Sequence, residues 1–126
     1  MQNRSSLFVG FGLVSALFFS GCGNDCQSTC TKLYGSAPNC GEPNETLGTK
    51  GLNAYGESRT QKERQCMTAC EKGLSVPGEV GDYDPEDLNT PADVELETDR
   101  QVAVWMDCVD VNNCMNLEAG YCRPVW

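Results

Sequence analysis

The amino-acid sequence predicts a small, mostly α domain: a disulfide-stapled helical hairpin plus a third helix and a short fourth, joined by long polar loops. Three observations carry this. The pairs Cys26/Cys30 and Cys66/Cys70 are each spaced by four residues, so on a helix both thiols of a pair share one face. Val102, Trp105, Met106 and Val109 recur at helical spacing and form one apolar stripe. The chain carries nine cysteines, while apolar residues are sparse after residue 22; such a domain depends on cross-links more than on a large core.

Each element follows in chain order. Asn24-Asp25 can cap a first helix over about 25–36, and Gly35-Ser36-Ala37-Pro38 ends it. Residues 39–57 are polar and glycine-rich and read as a loop. Ser58 or Thr60 starts a second helix through Cys66 and Cys70 to about Lys72, with Gly73 as its expected stop. Residues 74–91 are acidic and turn-rich, and read as a mobile connector. Thr90-Pro91-Ala92-Asp93 has a cap, a first-turn proline and an acid three residues after the cap, which is a helix-start pattern. Thr98-Asp99-Arg100-Gln101 repeats it, and the main third helix is expected over about Asp99–Val111. Asn112-Asn113 breaks that helix. A fourth segment from Asn113 to Ala119 ends at Gly120, and Tyr121–Trp126 forms a tail.

The cysteine spacing also sets an expected pairing. Two antiparallel helices pair outer with outer and inner with inner, giving Cys26–Cys70 and Cys30–Cys66. Disulfides hold Cα atoms about 4.4–6.8 Å apart, and Ser28, Thr29, Thr68 and Ala69 are small enough to allow that approach. Cys40, Cys108, Cys114 and Cys122 allow three pairings. The break at Asn112-Asn113 can bring Cys108 to Cys122, leaving Cys40 to pin Cys114 and fasten the C-terminal half to the hairpin. The doubled Cys-x-x-x-Cys resembles the helical-hairpin disulfide scaffolds, namely the α-hairpinins and the twin-pair hairpins of intermembrane-space proteins. The α-hairpinin loop is far shorter, so the resemblance carries geometry and not activity. The whole cysteine order, with Cys40-Gly41 and the late trio, is similar to small cysteine-rich lipoproteins of myxobacterial type.

The N-terminal residues fit the same family. One cation, Arg4, precedes an apolar run from Leu7 to Phe19 that is too short to span a bilayer comfortably, and small residues then lead to Cys22. Phe19-Ser20-Gly21-Cys22 resembles the lipobox of bacterial lipoprotein precursors. The resemblance implies a signal peptide over 1–21, diacylation of the Cys22 thiol, and acylation of the new amine with a palmitate-class chain. The cysteine-rich domain over 22–126 would then be attached to the membrane by lipid. Phe19 stands where the family usually has Leu, in an apolar subsite. A plain secretory leader is the alternative, but acylation of Cys22 leaves an even set of eight cysteines, which can pair completely. Gly23 is not the Asp that retains such proteins at the inner membrane. The implied location is the outer membrane, on its periplasmic or surface face.

Charge and composition exclude several functions. From Cys22 onward, eight bases face eighteen acids. Such a chain does not bind nucleic acid by phosphate neutralisation. Repulsion from anionic lipid is expected to hold the domain off the bilayer, with lipid as its only anchor. The chain has no histidine, so the usual general base, zinc partner and haem ligand are missing, and neither a metal nor another cofactor is expected. No Cys-x-x-Cys pair exists for thioredoxin-type chemistry. Asp82, Asp84, Glu86, Asp87 and Asp93 come close to a calcium-loop spacing. The glycine and the final glutamate of that loop are absent, and a solvated acidic loop is the preferred reading. The expected function is a structural or binding role in the cell envelope, with an envelope protein as partner, and not catalysis. The alternative is a tethered helical-hairpin inhibitor or effector module.

Overall fold

A computed structural model describes residues 24–54 and 56–126. Its helices are α1 (Cys26–Tyr34), α2 (Arg59–Leu74), α3 (Asp99–Val111) and α4 (Cys114–Ala119). No β-strand forms among the described residues beyond an isolated bridge of Asn44 with Thr49. None of the described helices is long and apolar enough to cross a membrane.

Side-chain caps set the helix starts. The Asp25 carboxylate accepts the Ser28 N–H at 2.6 Å, and Ser28 Oγ accepts the Asp25 N–H at 3.1 Å. This closes both ends of a capping box, and the Ser28 bond holds Asp25 below the usual carboxylate range. Ser58 and Gln61 form the same device at α2. Thr98 caps α3 and Asn113 caps α4, while Gly120, at φ 111°, ends α4 in the left-handed region.

Two helix signals resolve differently from expectation. Gly73 does not stop α2, which runs one residue further to Leu74 and closes on Ser75. Gly73 is instead a site of close approach. A Cβ there would collide with Val102 Cγ2 on α3 and sit 3.0 Å from the Leu96 carbonyl oxygen. Thr90-Pro91 likewise starts no helix. The Thr90 hydroxyl donates backward to the Asp84 carbonyl at 3.1 Å, and Pro91 opens a turn closed by the Val94 N–H.

The helices pack as a hairpin with a third helix across it. Cys26–Cys70 and Cys30–Cys66 form the ladder expected of antiparallel helices, each with Cα atoms 5.8 Å apart. The remaining sulfurs pair as Cys40–Cys114 and Cys108–Cys122. α3 packs on both α1 and α2, and the full stripe of Val102, Trp105, Met106 and Val109 is buried with Leu33, Tyr34, Leu117 and the cystines. Lys32 joins the far ends of α1 and α3. Its ammonium donates to the carbonyls of Val109, Asp110 and Asn112 at 2.6, 2.7 and 2.8 Å. α3 has no basic residue in its own last turn, so α1 supplies the cation that its C-terminal dipole favours.

The acidic segment after α2 is a strap tied to the fold, not a loose connector. Gly78 N–H donates to Asp99 Oδ1 at 3.1 Å, the Thr98 hydroxyl to the Glu79 carbonyl at 2.8 Å, and Gln101 Nε2 to the Val80 carbonyl at 3.0 Å. At its other end, the Cys122 N–H donates to the Pro85 carbonyl at 2.7 Å and Arg123 to the Thr90 carbonyl at 2.8 Å. The C-terminal tail is fixed as well. Trp105 Nε1 donates to the carbonyls of Cys122 and Pro124, and Tyr34 exchanges hydrogen bonds with the main chain of Trp126.

Candidate functional site

The cystine ladder determines which face of α2 is left for other use. Cys66 and Cys70 turn toward α1, so Arg64, Thr68, Ala69 and Lys72 face away from it. That outer face forms one wall of an open groove of ≈750 Å³. The opposite wall is the segment from Ala92 to Leu96, and the tail residues Pro124–Trp126 close one side. The lining is mostly apolar, from Ala69, Val94, Leu96, Val125 and Trp126. Arg64 and Lys72 of α2 and Asp93 and Glu95 of the 92–96 segment add charges of both signs to the lining. Trp126 is held by an edge-to-face contact with Trp105, with ring centroids 5.9 Å apart at 82°. The groove is therefore bounded by a cross-linked helix on one side and a hydrogen-bonded tail on another.

A second, acidic depression of ≈520 Å³ lies along the strap and includes Asp82, Asp84 and Asp87. Its carboxylates serve their own turns. Asp84 Oδ1 accepts the Glu86 N–H at 2.9 Å, and Asp87 Oδ1 accepts both the N–H and the side-chain amide of Asn89. Among the described residues, no group of three or more His, Cys, Asp or Glu side chains is placed to hold a metal ion. The five acids with calcium-loop spacing are thus not brought to a single point.

Two titratable side chains are buried without having been anticipated. Lys62 is 2% exposed, donates to the Leu52 carbonyl, and lies 5.9 Å from the centroid of the Tyr34 ring. Burial holds its ammonium below the ordinary lysine value, with Glu57 pulling weakly the other way. The signal was present in the spacing: Lys62, Cys66 and Cys70 are successive four-residue steps on the face of α2 that the ladder buries. Tyr34 is fully buried and Tyr83 is half-buried, with its hydroxyl donating to the Arg123 carbonyl at 2.7 Å. Desolvation raises both phenols well above their ordinary value.

All eight expected disulfide residues, Cys26, Cys30, Cys40, Cys66, Cys70, Cys108, Cys114 and Cys122, are in cystines. The Cys108–Cys122 bridge has the Asn112 amide beside it, 3.5 and 3.4 Å from its two sulfurs. The lipidation candidate Cys22 lies outside the described residues. No protein-family model, curated protein or solved structure matches this chain.

Proposed function

We propose that the chain is a cell-envelope lipoprotein, anchored by acylation of Cys22 to the outer membrane, whose acidic domain acts by binding and not by catalysis. The observation that supports this best is the sulfur count. The eight cysteines after Cys22 are consumed in four intramolecular cystines, so the ninth is left without an intramolecular partner and stands at the lipobox. Lipid attachment gives that cysteine a chemical role and keeps a loose thiol out of an oxidising compartment. The groove beside α2 is the contact surface in this reading. Its apolar lining suits an apolar segment of an envelope protein, and the charges of Arg64, Lys72, Asp93 and Glu95 in that lining can set the segment's register.

Mass spectrometry of the purified mature protein tests the anchor: it starts at an acylated Cys22, and Cys22→Ser accumulates unprocessed precursor. An unmodified terminus at any other residue overturns the anchor. The groove is tested by affinity capture from envelopes with the acylated, oxidised protein. Ala69→Arg, which fills the groove from its floor, abolishes capture of a groove-bound partner, and unchanged capture assigns the contact elsewhere.

A further inference from the structure

We propose that the groove beside α2 is redox-gated: Cys40–Cys114 fastens its walls to each other, and a dithiol reductant opens this cystine before the other three. The proposal rests on the groove as the contact surface and adds the regulation of that surface.

The cystines divide the chain into two halves. Cys26–Cys70 and Cys30–Cys66 lie within the hairpin that ends at Leu74, and Cys108–Cys122 lies wholly after it. Among the described residues, Cys40–Cys114 is the one covalent link between the halves besides the main chain leaving α2. The walls of the groove belong to different halves. Arg64, Thr68, Ala69 and Lys72 stand on α2, while Ala92–Leu96 and Pro124–Trp126 come from the second half. The spacing of the two walls therefore depends on a bond that thiol chemistry can break.

Burial selects which cystine yields first. Seven of the eight paired cysteines are 6% exposed or less, and only Cys114 is half-buried. Thiol–disulfide exchange needs a thiolate to reach a sulfur, and exposed cystines are the labile ones. The elements joined differ as well. The ladder staples α1 to the sixteen-residue α2, whereas Cys114 opens the six-residue α4 and Cys40 stands in the turn after α1. So short a helix has little stability of its own and opens locally at small cost.

The exchange runs in two displacements. A thiolate of the reductant attacks Cys114 Sγ, forms a mixed disulfide and expels the Cys40 thiolate, which takes a proton from water. The reductant's second thiolate then attacks the reductant's own sulfur in that mixed disulfide. Cys114 leaves as a thiolate and is protonated, and the reductant departs as a disulfide, having passed two electrons to the protein. The halves stay docked. Lys32 still joins α1 to the end of α3, and the Glu118 carboxylate of α4 still accepts the N–H groups of Lys50 and Gly51 at 2.9 and 3.3 Å. These bonds keep the two thiols near one another, so an oxidant reforms the cystine. The groove meanwhile loses its covalent clasp, and the contact of Trp126 with Tyr34 of α1 breaks more often.

The test treats the purified, oxidised protein with dithiothreitol in the absence of denaturant, quenches samples with iodoacetamide over time, and maps the labelled peptides. Cys40 and Cys114 are expected to gain label about tenfold faster than the other six. Earlier labelling of another cystine, or simultaneous labelling of all eight, overturns the proposal. Amide hydrogen exchange then compares the oxidised protein with the form in which only this cystine is reduced, and with Cys40→Ser and Cys114→Ser combined. The Trp126 amide, bonded to Tyr34 across the halves, is expected to exchange about tenfold faster in both altered forms. The Cys122 amide, bonded to Pro85 within the second half, is expected to keep its rate. An unchanged rate at Trp126, or equal acceleration at both amides, overturns the gate. Envelope capture separates the two readings. Capture that ignores Ala69→Arg removes the groove itself, whereas capture that responds to Ala69→Arg but not to reduction of Cys40–Cys114 removes only the gate.

Discussion

Replacing Lys32 with methionine keeps most of the side-chain stem and removes the ammonium that joins α1 to the end of α3. Three carbonyls, of Val109, Asp110 and Asn112, then lose donors at 2.6–2.8 Å. A charged hydrogen bond contributes about 1.5–3 kcal/mol net when its acceptor is buried, and a cation at a helix C-terminus about 0.3–1 kcal/mol. The three bonds do not add fully. The Asp110 carbonyl is exposed and can take water in place of the ammonium. Partial burial also costs the ammonium hydration and holds Lys32 below the ordinary lysine value. A loss of roughly 2 kcal/mol remains, about one charged hydrogen bond plus the helix-end charge. Urea unfolding of the oxidised protein, followed by far-ultraviolet circular dichroism, reads this as a lower midpoint at unchanged slope. Lys32→Arg is the informative control. Its charge survives, but a planar guanidinium cannot direct donors to all three carbonyls, so an intermediate loss is expected. A loss under about 0.5 kcal/mol for Lys32→Met, or one that high salt abolishes, refutes the cap and reduces Lys32 to a surface charge.

Other consequences follow from the same packing. Gly73→Ala gains about 1 kcal/mol of helix propensity but drives a methyl group into Val102, at about 1–3 kcal/mol; pairing it with Val102→Ala relieves the clash, and strict additivity in the double-mutant cycle would contradict the close approach. Stability climbs with pH from the lowered values of Lys62 and Lys32 toward about 10, because the unfolded chain binds more protons there; above about 10 the buried Tyr34 and Tyr83 reverse the slope, and Lys62→Met reduces only the rising limb, of which Lys32 keeps a share. Removing Cys40–Cys114 with paired serines costs about 4 kcal/mol by loop-closure entropy against about 3 for Cys108–Cys122, since the sequence separations are 74 and 14; thermal unfolding of the two variants gives the order, and a reversed order rejects the entropic account. Alkylation of the native protein labels none of these eight cysteines before reduction and all eight after it; two or more labelled beforehand would undo the scaffold.

What could be read from the sequence divides by the range of the interactions involved. Capping and helical spacing are local, so α3 is legible to the residue and α4 to within one: Thr98 and Asn113 each accept from an N–H three residues on, within one turn of chain. The cystine ladder is legible for a related reason. A four-residue spacing repeated on two helices leaves antiparallel stapling with one geometry, and both rungs are found at the same Cα separation. Gly73 misled because it obeys partners distant in sequence, and Thr90 because its hydroxyl turns back into the preceding turn-rich segment. Gly73 is small for Val102 and Leu96, and the Thr90 hydroxyl answers Asp84, not the residues it precedes. The acidic strap misled for the same reason as Gly73: its turn-rich composition says nothing of the Thr98, Gln101 and Arg123 side chains that bind its main chain.

The groove was out of reach of sequence reading altogether, because no single segment encodes it. Its floor brings together Ala69 of α2, Leu96 from the end of the strap and Trp126 of the tail, and each has an adequate local reading without the others. The assembly depends on tertiary anchors. Val102 on α3 and the Leu96 main chain both pack against Gly73 of α2, while Trp105 and Tyr34 bind the tail through its carbonyls. Residues that close the core therefore also shape the surface beside α2. A substitution that loosens Trp105 or Tyr34 is expected to open the groove before it unfolds the hairpin, because the Cys26–Cys70 and Cys30–Cys66 rungs hold α1 and α2 together without them.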